Sequence, residues 1–71
     1  MARNRRLLTD ADFTEAMERQ TAIRVFRNDQ VVDSGGVVTR YDDRIVVIQR
    51  SVSELEYHDR KSSEFFEMPR R

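Results

Sequence analysis

The single histidine of this chain stands beside an acid, in Tyr57-His58-Asp59, and this is the sequence's nearest approach to a catalytic pair. An imidazole and a carboxylate share a proton only if both side chains reach the same place. Neighbours on an extended strand point to opposite faces, so His58 and Asp59 are poor partners. Asp42 and Asp43 also adjoin, but in a Tyr-Asp-Asp-Arg turn where hydration alone accounts for two carboxylates. Gly35-Gly36 lacks the lysine and following helix of a phosphate-cradling loop. Cysteine is absent, which removes disulfides and thiolate metal sites, and one histidine cannot build an imidazole metal site within a chain. The expectation is a protein that is not an enzyme and holds no cofactor and no metal.

The basic residues point elsewhere. Twelve of the 13 are arginine, Lys61 being the single lysine, and 13 acids balance them to a net charge of zero. Arginine suits bidentate and stacking contacts with phosphate and carboxylate. A neutral total gives no whole-molecule argument for nucleic acid, and a compositional bias toward arginine on a solvated surface explains the same count. Arg3, Arg5 and Arg6 lie in a basic arm, residues 1–8, read either as a flexible terminus or as an electrostatic handle for phosphates. Arg70 and Arg71 make a second basic end, residues 69–71.

These residues need elements to position them. Thr9 has the character of a helix N-cap, with Asp12 at N3 completing a capping box and Leu8 placed to staple onto Phe13. Phe13, Ala16 and Met17 then recur at helical spacing over residues 10–20, with Glu15 and Arg19 paired on the outer side. The stripe is narrow, so the helix must lie on a sheet or across a barrel end.

Short β-branched runs follow, predicting strands over residues 21–27, 31–40, 44–52, 53–58 and 64–68. Ile23 and Val25 face one way, Arg24 and Phe26 the other, which leaves Phe26 as a subunit contact, as a partly buried residue, or as an exposed aromatic platform for a base. Asn28-Asp29 is a tight turn, and Gly35-Gly36 a bulge or sharp bend. Ile45 to Ile48 is apolar on both faces and reads as a central strand. Phe65 and Phe66 must face opposite ways, one toward the core and the other toward a partner. Seventy-one residues make one domain, 9–68, small enough that edge-strand oligomerisation is the natural staple. No apolar run approaches the roughly 20 residues of a membrane span, and the Arg-rich start lacks the apolar stretch of a signal peptide. A cytoplasmic protein with no membrane contact is expected.

A helix followed by about five short strands resembles the Sm-like fold, and specifically the Hfq family of bacterial RNA chaperones. Asn28-Asp29, Gly36, Tyr41-Asp42, the aliphatic Ile45 to Ile48, Val52-Ser53 and Tyr57-His58-Asp59 carry the resemblance. It implies a mostly β, Sm-like (SH3-like), five-stranded curled antiparallel barrel with an N-terminal helix. It also implies a homo-oligomeric ring of six subunits, joined through edge strands, that binds single-stranded RNA. Asp43, Arg44, Tyr57 and His58 would then form the nucleotide pocket, with Arg24 and Phe26 at a second surface and Arg3, Arg5 and Arg6 as a tail. The sequence departs from the family where that pocket would lie, since Arg44 replaces a stacking aromatic and Asp59 brings a carboxylate. A protein-interaction or assembly module that has lost RNA binding, and a monomeric SH3-like adaptor, are the alternatives.

Overall fold

The computed structural model describes residues 5–68. Its elements are β1 (Arg6–Leu7), α1 (Asp10–Arg19), β2 (Ile23–Arg27), β3 (Gln30–Tyr41), β4 (Ile45–Ser51), β5 (Glu54–Asp59) and β6 (Glu64–Glu67). The six strands form one antiparallel sheet in the order β1-β6-β2-β3-β4-β5.

The helix is defined by its ends. The Thr9 side chain accepts the N–H of Asp12, and the Asp12 carboxylate accepts the N–H of Thr9 in return. At the other end Gln20 turns left-handed, with φ 53°, and its N–H reaches the carbonyls of Ala16 and Met17. Thr21 N–H also donates to Ala16 O at 3.1 Å, closing off carbonyls that the last turn would otherwise leave open. The staple expected from Leu8 does not form, because Leu8 is 60% exposed. Leu7 enters the core instead: Arg6 and Leu7 pair with Phe66 and Phe65 as β1, and the strand alternation turns Leu7 inward.

Two local devices shape the long strand β3. Asn28 and Asp29 both have positive φ, 54° and 64°, as a two-residue turn of the type that matches strand twist requires. Farther on, Ile23 pairs with Gly36 and Arg24 with Ser34, so Gly35, at φ 94°, is the extra residue of a bulge. At Gly36 the requirement is room, since a Cβ there would run into the Ile48 side chain. Beyond this point β3 leaves β2 and pairs with β4.

Phe13 and Ala16 of α1, Leu7, Ile23, Val25, Val38, Val46, Ile48 and Phe65 make one core. Phe13 sits at its centre, edge-on to Phe65 at 5.4 Å between ring centroids and tilted against Tyr41 at 5.7 Å. In β4, Val46, Val47 and Ile48 are all buried.

The expected five-stranded, Sm-like closed barrel is not what forms. Among the described residues there are six strands, and the sheet is open. β1 occupies the outer edge of β6, while the outer edge of β5 pairs with nothing among the described residues. Closure would need a ladder joining the two ends of the sheet. His58 of β5 does approach Phe65 of β6, at 6.2 Å between rings, but that is a side-chain contact and not a ladder.

Candidate functional site

Two features of β5 set the site: a buried polar anchor on its inner face and an outer edge that pairs with no strand among the described residues. His58 is the inward residue, only 4% exposed. Its partner is not Asp59 but Asp33 of β3, equally buried, with Nε2 to Oδ2 at 3.0 Å. Arg27 lies 3.5 Å from the other ring nitrogen, Nδ1. A guanidinium only donates, so Nδ1 accepts and the Nε2 proton is directed at Asp33. The Arg50 Nε stands 3.4 Å from the other oxygen of Asp33. Two bases thus meet the buried carboxylate, as a buried acid requires. His58 and Asp33 are buried, while the Arg50 side chain reaches the surface.

The outer edge follows from the ladder. Arg60 N–H donates to Arg44 O at 2.8 Å, alongside the β4–β5 pairing of Ile45 with Asp59 and Val46 with His58. In an antiparallel pair, main-chain groups point alternately toward and away from the neighbour. Those of His58 and Glu56 therefore face β4, while those of Leu55, Tyr57 and Asp59 face outward. The Asp59 carbonyl is already met by Ser63 N–H at 3.1 Å. The N–H groups of Leu55, Tyr57 and Asp59 and the carbonyls of Leu55 and Tyr57 remain directed at solvent. Leu55 and Tyr57, 48% and 60% exposed, stand on the face opposite His58. The other sheet edge, β1, has only two residues.

The residues expected to contact RNA do not converge. Asp43 and Arg44 line an open hollow with Ile45, Asp59 and Lys61, a space of about 570 Å³ in which two acids face two bases. Tyr57 and His58 are not part of it: Tyr57 projects from the outer face of β5 and His58 is buried. The Asp59 carboxylate accepts the N–H and hydroxyl of Ser62, at 2.9 and 2.7 Å, which holds it below the usual carboxylate range and fixes the β5–β6 turn. Arg5, assigned to the tail, lies among Asp12, Glu15 and Glu67, at 2.5, 2.6 and 3.5 Å. Arg6 lies over the Phe66 ring at 5.9 Å, and Arg24 is paired across the ladder with Phe66. Phe26 packs edge-on against Phe66 at 5.5 Å. Arg3 lies outside the described residues.

Sequence reasoning missed Asp33, Arg60 and the acids beside Phe26. Asp33 reads only as part of the bulge or bend at Asp33-Ser34-Gly35-Gly36, and the fold places it opposite His58. Arg60 reads as polar loop, yet its guanidinium lies 4.7 Å over the Phe13 ring, pairs with Asp10 at 2.8 Å and donates to Asp42 O at 2.7 Å. A lone arginine in a polar tetrapeptide carries no signal of this.

No family model, no curated protein and no solved structure matches this chain. Together with the open sheet, this overturns the resemblance to the Hfq family, and with it the RNA chaperone function and the six-membered ring drawn from it. Among the described residues no helix is long and apolar enough to cross a membrane.

Proposed function

We propose that this chain is a non-catalytic assembly domain that extends its sheet at β5, and that a second copy pairs there about a two-fold axis. The observation that carries this is the outer edge of the six-residue strand β5, which pairs with no strand among the described residues and presents exposed Leu55 and Tyr57. Its outward main-chain groups restrict the register. Centring the pair on Tyr57 sets Leu55 of each copy against Asp59 of the other, Glu56 against His58, and Glu54 against Arg60. No like charges then stand directly opposite. Centring it on Glu56 instead would place two Glu56 carboxylates face to face, which disfavours that register. The Tyr57-centred pair forms about four main-chain hydrogen bonds, few against the entropy of association, so a weak and concentration-dependent dimer is expected.

The non-catalytic reading rests on the burial of His58 and Asp33, the histidine–carboxylate pair of the fold, away from any substrate. A cytoplasmic location accompanies it, since nothing in a cysteine-free chain calls for an oxidising compartment.

Sedimentation equilibrium at roughly 10–300 μM tests the dimer, with charge placed at Leu55. Leu55→Asp sets a carboxylate against Asp59 twice per dimer and should weaken association about tenfold; Leu55→Lys sets an opposite charge there and should tighten it by a similar factor. A wild-type chain that stays monomeric across this range, or two variants that shift the equilibrium in the same direction, overturns the proposal.

A further inference from the structure

On the outer face of the β2–β6 ladder, Phe26 and Phe66 meet edge to face at 5.5 Å and 84°. They form two walls of an open cavity of about 320 Å³, which Asp29 and Glu64 complete. The wall residues come from three places: alternating residues of β2 and β6 supply Phe26, Glu64 and Phe66, and the β2–β3 turn supplies Asp29. The ladder pairs Phe26 with Glu64, which sets the two residues side by side on this face. Asp29 occupies the second position of the left-handed β2–β3 turn, at φ 64°.

We infer that this cavity is a binding site for a guanidinium group, an arginine side chain presented by another polypeptide. Two aromatic rings offer a negative face to a cation, and two carboxylates on the same rim offer it charge and hydrogen-bond acceptors. Neither feature suits an anion or a neutral apolar group, which would leave Asp29 and Glu64 facing uncompensated. Guanidinium fits better than ammonium because a planar, weakly hydrated cation stacks on a ring while donating at its edge. The protein already displays the attraction: its own Arg6 places its guanidinium carbon 5.9 Å from the Phe66 centroid. Arg6 is therefore a competitor for one wall of the cavity.

The cavity shares no residue with the β5 edge, so it is tested in the Leu55→Asp background and in the wild type alike. The probes are N-acetyl-arginine methylamide, its lysine counterpart and the neutral isostere N-acetyl-citrulline methylamide, titrated to millimolar concentration and followed by amide and aromatic NMR shifts. Shifts confined to Phe26, Asp29, Glu64 and Phe66, stronger for arginine than for lysine and lost with citrulline, are expected. Glu64→Gln should weaken arginine binding about threefold, as should Phe26→Leu, whereas Arg6→Gln should tighten it by removing the competitor. Equal shifts with citrulline, no shift at these residues, or weakening by Arg6→Gln overturns the inference. So does a response of the same residues to inorganic phosphate in place of arginine.

Discussion

Asp33 and His58 are far apart in sequence, 25 residues, and yet they form the polar contact that ties β5 to the bulged strand β3. Neither can be removed cheaply. His58→Ala takes away the Nε2 donor and the edge contact with Phe65, and leaves the buried Asp33 carboxylate with Ser34 N–H and Arg50 on Oδ1 and nothing among the described residues on Oδ2. A loss of about 2–3 kcal/mol is expected from the cavity and the unmet acceptor together. Urea denaturation of His58→Ala, Asp33→Ala and the double variant measures it. Coupling well above about 0.5 kcal/mol marks the pair as one energetic unit, whereas additive losses would show two independent packing residues. The adjacency of His58 and Asp59 in the sequence misleads at this scale because strand alternation separates them. Asp59 serves its own turn through Ser62, and the true partner was illegible because nothing local to Asp33 announces a contact 25 residues on.

The elements were far more legible where their signals are local. Thr9 and Asp12 announce a reciprocal cap at a spacing of three, and the structure has it. Ile23 and Val25 face the core, as alternation requires, and the glycine pair marks a bulge. β1 was illegible because two residues at the end of an arginine run have no periodicity, and its pairing with β6 is decided across the length of the chain. Leu7, and not the expected Leu8, is the apolar residue that this pairing buries. Predictions at this scale concern the helix ends and the bulge. Thr9→Ala should cost about 1 kcal/mol by removing the acceptor for Asp12 N–H, seen as faster hydrogen exchange over α1. Gln20→Gly should instead stabilise, by about 0.5–1 kcal/mol, because a non-glycine residue holds the left-handed position that ends the helix. A lowered thermal midpoint for Gln20→Gly would contradict that account. Gly36→Ala should cost about 1–3 kcal/mol by overpacking against Ile48.

Over the whole molecule, charge closes what short strands leave loose. The zero net charge read from composition says nothing about where the charges meet, and they meet where the two ends of the described chain come together. Arg5 bridges Asp12 and Glu15 of α1 and Glu67 of β6, while its carbonyl accepts Glu67 N–H at 2.8 Å. The N–H groups of Leu8 and Thr9, then the Arg5 guanidinium, hold the Asp12 carboxyl well below the usual carboxylate range. Arg5 and Arg19 lower Glu15, and the N–H groups of Ile45 and Arg44 lower Asp42. A carboxyl depressed in the folded state stabilises the fold above its unfolded value near pH 4, and that contribution is lost as pH falls through the depressed folded value. Arg5 itself is raised by Glu15 and Asp12, which moves its titration further into alkali and leaves the acid side to the carboxylates. Stability should therefore decline steadily below about pH 4. Asp12→Asn isolates the largest of these groups, because an amide cannot titrate and cannot pair with Arg5 as an anion. The variant should be less stable than the wild type at pH 6 and approach it as pH falls toward 2, with a shallower acid limb in urea titrations across this range. Since these groups lie at the surface, the difference at pH 6 should shrink in about 1 M salt, where screening removes the Arg5 component first and the hydrogen bonds from Leu8 and Thr9 least. A gap between the two proteins that is the same at pH 2 and pH 6 would show that the carboxylate charge is not its source.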